Sequence, residues 1–111
     1  MIEIVILNYL NENLPVPCYL TKDKDTPNSY VLFERTGSRK KNQLSSATFA
    51  FQSYAKSLYG AAMLNEELKK TIEDMIVLNE ISGVKLNSDY NFTDTETKEY
   101  RYQAVFDINH Y

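Results

Sequence analysis

The 111-residue chain holds one thiol, Cys18, and one imidazole, His110. A zinc site of the Cys/His type takes four such ligands, so one chain cannot assemble it. A catalytic thiolate needs a base beside it. The only imidazole is the penultimate residue, where chain ends fray and geometry is poorly held. Cys18, next to Pro17, is therefore expected to be a small, half-buried packing residue. With a single cysteine no internal disulfide forms, and nothing in the count argues for an oxidising compartment.

Carboxylates gather in polar stretches as Asp23, Asp25, Asp94, Glu96 and Glu99. General acid–base work needs a cleft that drives two such groups apart in pKa. Loop carboxylates beside lysines read as solvated. The run Asn87-Ser88-Asp89-Tyr90-Asn91 imitates the start of a calcium loop. Phe92 then replaces the glycine of the sharp turn, and Lys98 stands where the bidentate glutamate belongs, so a strand is the better reading. Asn91-Phe92-Thr93 is a glycosylation sequon, which acts only in a secreted chain. The three glycines are dispersed, so no phosphate-cradling loop exists. No catalytic, cofactor-binding or metal-ligating set is complete, and neither an enzyme nor a cofactor is expected.

One local charge feature stands out: Arg35, Arg39, Lys40 and Lys41. Arg39, Lys40 and Lys41 read as a contact loop for an acidic partner surface or passing nucleic acid, or else as a solvated hairpin tip. The whole chain carries 12 basic and 15 acidic residues, a net charge of −3. A general nucleic-acid binder would carry the opposite balance.

The elements that must position these residues follow from composition and periodicity. Apolar residues make up 43% and charged residues 24%, ordinary for one globular domain spanning residues 1–111. The longest aliphatic run, Ile4-Val5-Ile6-Leu7, is far short of the roughly 20 residues of a membrane span. Glu3 stands where a signal peptide carries positive charge, so an intracellular chain is expected. Nine tyrosines and no tryptophan hint at half-buried sheet faces or interfaces.

Ile2, Val5, Ile6, Tyr9 and Leu10 form one helical stripe, ended by Asn13-Leu14-Pro15. Residues 16–20 read as a short edge strand, because Pro17 cannot donate to a central ladder. Residues 21–29 form a polar loop. Residues 30–36, dense in β-branched and aromatic side chains, form a strand closed by Gly37. Residues 38–45 read as the basic loop, and residues 44–53 as a third strand with Phe49 and Phe51 on one face and Ala50 and Gln52 on the other. A helix over 54–78 buries Leu58, Ala61, Ala62, Leu68, Ile72, Met75 and Ile76, with Glu66 and Lys70 spaced as an ion pair. Gly60 inside it is explained by close approach of helix to sheet. Two alternating strands finish the chain, Val84, Leu86, Ser88, Tyr90 and Phe92 on one face of the first, and Tyr100, Tyr102, Ala104, Phe106 and Ile108 on one face of the second. The order α-β-β-β-α-β-β predicts an α+β domain of two layers: a mainly antiparallel sheet of about five strands, both helices on one face, the other face polar and exposed. Arg35 and Arg101 are expected to hold the subunit or its neighbour by pairing with carboxylates such as Glu34 or Asp107.

Several pieces in chain order resemble the tail terminator (tail completion) proteins of long-tailed bacteriophages and prophages. They are Leu14-Pro15-Val16-Pro17 after a short helix; Phe33-Glu34-Arg35-Thr36-Gly37; residues 48–55, Thr-Phe-Ala-Phe-Gln-Ser-Tyr-Ala, entering a helix with Ala61-Ala62; Ser88-Asp89-Tyr90-Asn91-Phe92-Thr93-Asp94; and Tyr100-Arg101-Tyr102-Gln103-Ala104. The chain departs from the family at Ser38, where a second glycine is common, at Tyr54, where Trp is common, and at Ser45-Ser46-Ala47, where an Asp-Pro type turn is common. The resemblance implies a structural virion protein without catalysis or cofactor: a hexameric ring that caps the tail tube, stops its growth and meets the head connector. Its implied partners are further copies of itself, the tail tube protein and a head-completion or connector protein. Genomic DNA would pass through the lumen without specific binding, and no membrane is involved. The implied location is the head-proximal end of the virion tail, and the host cytoplasm during assembly. Glu34, Arg35, Arg101, Gln103 and Asp107 are the strand residues expected at subunit contacts, and the isolated chain could wait as a monomer. A head-completion or connector adaptor is the near alternative, and a small nucleic-acid-binding regulator the more distant one.

Overall fold

A computed structural model describes residues 1–21, 27–41 and 44–111, with backbone only at 41 and 44. Asp23 and Asp25 lie outside the described residues, as does the Lys41 side chain.

Helix α1 spans Ile2–Asn13. Ile2, Ile6 and Leu10 are buried along its stripe, and Val5 and Tyr9 pack beside them. The Leu14 amide closes the last turn on the Leu10 carbonyl at 2.8 Å, and Leu14 itself is extended, as a residue before proline must be. Strand β1 is only Cys18–Tyr19, shorter than the 16–20 span expected. Asn11 of α1 pins it by accepting from the Cys18 amide at 2.9 Å.

Strand β2 runs Tyr30–Lys41 and β3 runs Leu44–Ala55. The basic stretch expected as a loop over 38–45 is thus mostly hairpin ladder, with Arg39 opposite Ser46 and Lys40 opposite Ser45. Cross-strand pairing satisfies the backbone there whatever the polarity of the side chains. Gly37 does not close the strand; a bulge between Arg35 and Gly37 carries it onward.

Helix α2 spans Leu58–Asp74 and tightens into a 3-10 turn over Met75–Val77. It starts later than 54 because Ser57 caps it, its hydroxyl accepting from the Gly60 amide at 3.0 Å. Tyr54 stays in the sheet. A Cβ on Gly60 would lie 3.1 Å from Ala55 Cβ, the expected close approach. Ala61, Leu68, Ile72 and Met75 are buried as expected, whereas Leu58 and Ile76 face solvent and Leu64 and Asn65 take buried places. Shifting the helix start and tightening its last turn turns the stripe away from both ends.

Strands β4, Ile81–Asn91, and β5, Tyr100–His110, complete a five-stranded sheet in the order β1-β2-β3-β5-β4. Only the β1–β2 pair is parallel. The fold is α+β, with the predicted element order. Both helices cover one face, burying Ile6, Leu10, Leu68 and Ile72 against Val31, Phe33, Phe49, Phe51, Ala104, Phe106 and Ile108. Apart from the small Ala104, full burial of each such side chain contributes roughly 1.5–3 kcal/mol. Tyr9 ties the helices together, its hydroxyl donating to the Thr71 carbonyl at 2.8 Å.

One expected alternation fails. A bulge between Leu86 and Ser88 inserts Asn87 as an extra residue. Val84 and Leu86 stand level with Ile108 and Phe106 on the helix side, while Ser88 and Tyr90 stand level with Val105 and Gln103 on the other. A one-residue slip exchanges faces because side chains alternate with period 2.

Candidate interaction face

The helix-free sheet face carries a connected set of side chains from β2, β3, β5 and β4. Register places Tyr30, Tyr54 and Arg101 in one cross-strand row and Leu32, Gln52, Gln103 and Tyr90 in the next. Tyr30 and Tyr54 stack with centroids 4.5 Å apart, and Tyr19 meets Tyr30 edge-on at 6.1 Å. The Tyr54 hydroxyl donates to Gln52 Oε1 at 2.9 Å. Gln52 Nε2 donates to Gln103 Oε1 at 2.9 Å, and Gln103 Nε2 donates to the Tyr90 hydroxyl. Arg101 anchors the edge, with Nη1 donating to the Tyr54 hydroxyl at 3.0 Å and Nε to the Phe92 carbonyl at 2.7 Å. Its guanidinium lies 4.6 Å from the Phe92 ring centroid, a cation–π distance.

A second polar tie lies further along the same face. Asp107 accepts from the Thr48 hydroxyl at 2.7 Å and from Asn87 Nδ2 at 3.2 Å, linking β3, β5 and the bulge of β4. Glu34 stands opposite Ala50 and is exposed. Despite having no helix above them, Tyr30, Ala50 and Tyr54 are each less than a tenth exposed. The face is therefore a packed, ordered surface rather than a row of free polar groups. Tyr90 and Phe92 remain about two-fifths exposed at its edge.

The expected carboxylate partners of the arginines are replaced. Arg35 lies on the helix side, and its Nη2 sits 3.1 Å from Glu3 Oε2 of α1. Glu34 and Asp107 are on the opposite face, out of its reach because the strand alternates. Arg101 takes a hydroxyl, a carbonyl and two rings instead of a carboxylate. On α2, Lys69 bridges Glu66 at 2.8 Å and Asp89 of β4 at 2.6 Å. The Asp89 and Glu66 hydrogen bonds hold its ammonium pKa above the usual lysine value.

Arg39 and Lys40 are exposed strand residues at one end of the sheet. Successive positions alternate, so Arg39 shares the helix-free side with Ser46 and Lys40 the helix side with Ser45. The sheet's other end is acidic. In the β4–β5 turn, Asp94 Oδ1 accepts from the Glu96 amide at 3.0 Å and the Thr97 amide at 3.4 Å. Those bonds, the Glu96 one foremost, hold its carboxyl below the usual aspartate value.

Cys18 is fully buried rather than half-buried, and burial pushes its thiol up to about 12, the environment of a packing residue and not of a thiolate. Among the described residues no group of three or more His, Cys, Asp or Glu side chains is arranged to hold a metal ion. No helix there is long and apolar enough to cross a membrane.

Sequence reasoning named Arg101, Gln103 and Asp107 of this face and missed Gln52, Tyr54, Tyr90 and Phe92 as their partners. The signal was present: Gln52 and Tyr54, Tyr90 and Phe92, and Arg101 and Gln103 are each spaced by two, the period of one strand face. Comparison of the chain with protein-family models finds no match, and comparison with curated proteins finds none either.

Proposed function

We propose that this chain is a structural virion protein of the tail-terminator kind, which acts through its surfaces. In this reading its copies form a ring, six being the number the resemblance implies, that caps the tail tube, halts tube growth and offers a joining surface to the head connector. No chemical step or cofactor enters. The carrying observation is the helix-free sheet face, locked from Arg101 through Tyr54, Gln52 and Gln103 to Tyr90. Such a preorganised polar and aromatic surface has little side-chain freedom left to lose on association. The pieces around Phe33–Gly37, 48–55 and Tyr100–Ala104 that resemble the family form or flank this face, which further supports the reading. A net charge of −3 suits a lumen that lets DNA pass without holding it.

The test is electron microscopy of phage particles made without this chain. Overlong or unjoined tails are expected, and tails of normal length joined to full heads would overturn the reading. Replacing Arg39, Lys40 and Lys41 together by Ser should leave the fold intact and impair tube capping or head joining. Normal infectivity of that variant would remove the hairpin from the contact.

A further inference from the structure

Among the described residues both borders of the sheet are open. On one side β1 pairs only with Val31 and Leu32, leaving the outer edge of β2 from Glu34 onward without a neighbouring strand among the described residues; Glu34 to Lys40 are all exposed. On the other side β4 ends the strand order, so its outer edge has no neighbouring strand among the described residues. Natural sheets blunt unused edges with bulges, charges, short strands or a covering element. Here β2 is bulged between Arg35 and Gly37, and β4 between Ile81 and Gly83 and between Leu86 and Ser88, yet both edges stay long.

The two edges match. Strand β2 is antiparallel to β3, β3 to β5, and β4 to β5, so β4 runs opposite to β2. Two copies set side by side in the same orientation therefore bring β4 of one against β2 of the next as an antiparallel pair. Their lengths also agree. Through Ser45 and His110, Lys40 stands level with Ile81, and through Ala50 and Val105, Glu34 stands level with Ser88. The free part of β2 thus spans the same height as the part of β4 from Ile81 to Ser88.

Charge is compatible with this level register. Through Thr48 and Asp107, Lys85 stands level with Gly37. The cation of this stretch of β4 therefore faces a residue with no side chain, with open space where its Cβ would be. Glu80, just before β4, comes beside the basic run from Arg39 to Lys41. Opposite charges across strands stabilise by roughly 0.2–1 kcal/mol per pair, and like charges do the reverse.

We infer that the partner of the β2 edge is the β4 edge of a second copy of this chain, paired antiparallel with Gly37 against Lys85. The contact is heterologous, so a pair of copies keeps one free β2 edge and one free β4 edge, and repetition closes a ring or extends a filament. Closure into a ring rests on the function proposed above; the edge contact does not.

Paired Cα atoms in an antiparallel ladder lie about 4.5–5.5 Å apart, within disulfide reach. The test mixes two full-length single variants, Gly37→Cys and Lys85→Cys, at high concentration under a mild oxidant, with the buried Cys18 as an internal control. A disulfide-linked heterodimer is expected in the mixture, with neither variant cross-linking alone, and reductant should return it to monomer. The chain carrying both substitutions should give a ladder of linked species. Lys85→Cys cross-linking to itself would mean that β4 meets β4, and would overturn the proposal, as would absence of any cross-link from folded variants. If the cross-link forms while particles lacking the chain have normal tails, the edge contact stands and the virion reading falls.

Discussion

Arg101 donates to the Tyr54 hydroxyl across the β3–β5 ladder at 3.0 Å, with its guanidinium 5.7 Å from that ring's centroid. Tyr54 is thereby held from the edge by a cation and from within by Gln52. The row beyond it depends on that grip, because each amide has one partner upstream and one downstream. Coupling, rather than any single bond, should define the stability of this face.

A double-mutant cycle measures that coupling. Gln52→Leu leaves the Gln103 carbonyl and the Tyr54 hydroxyl each without one partner, and should cost about 1–3 kcal/mol. Gln103→Leu strands Gln52 and Tyr90 in the same way. The double variant should lose clearly less than the two single losses added together. Urea denaturation of the four proteins reports it; simple additivity would mean that the row is not cooperative.

Phe51 lies 5.2 Å from Phe33, 6.1 Å from Phe49 and 6.0 Å from Phe106, centroid to centroid. It is the hub of the aromatic layer beneath the helices. Phe51→Ala should destabilise by about 3–5 kcal/mol, a large part of the stability of a domain this size. Thermal or denaturant unfolding checks it, and a loss near 1 kcal/mol would contradict the packing described.

Lys98 has a φ of 57°, the left-handed region that L-residues enter at a cost. It closes the turn between the bridged residues Asp94 and Glu99. Lys98→Gly should be neutral or stabilising by up to about 1 kcal/mol, and Lys98→Val destabilising. Equal melting temperatures for the Gly and Val variants would refute this.

Asp94 gives the fold a pH dependence of known sign. Its carboxyl is held below the ordinary aspartate value in the folded chain by the Glu96 and Thr97 amides. Its contribution is therefore present above the ordinary carboxylate range and is lost as pH falls through the folded value. An NMR titration of the Asp94 carboxyl should give a midpoint below that of a model peptide. The melting temperatures of wild type and Asp94→Ala should converge as the medium is acidified.

The Cys18 thiol, buried and pushed up to about 12, should resist alkylation at neutral pH. Iodoacetamide labelling followed by mass spectrometry should be slow in the native chain and rapid in denaturant. Rapid native labelling would place the thiol at the surface.

The layer architecture was legible because it rests on periodicity. The stripe Ile2, Ile6, Leu10 and the alternation of Tyr102, Ala104, Phe106 and Ile108 carry the burial directly. What escaped depends on relations between distant residues. The polar stretch from Ser38 to Lys41 is a strand because β3 pairs with it, not because of its own composition. Arg35 finds Glu3 only once α1 is laid beside β2. Tyr54 continues the apolar pattern into the helix, and only the Ser57 cap, visible in the fold, separates it from α2 and leaves it at the centre of the interaction face. The residues of that face were half visible, since strand spacing marks who shares a side but not who touches whom.

The bulge at Asn87 has a consequence for how this chain can vary. By inserting one residue, it lets the first part of β4 serve the interior while Tyr90 and Phe92 serve the exterior. Deleting that residue would shift the downstream frame and turn Tyr90 inward, whatever the chemistry of the neighbours. Substitutions along β4 are therefore individually negotiable, but its residue count ahead of Tyr90 is not. The β4–β5 turn, by contrast, has room to lengthen without inverting either side.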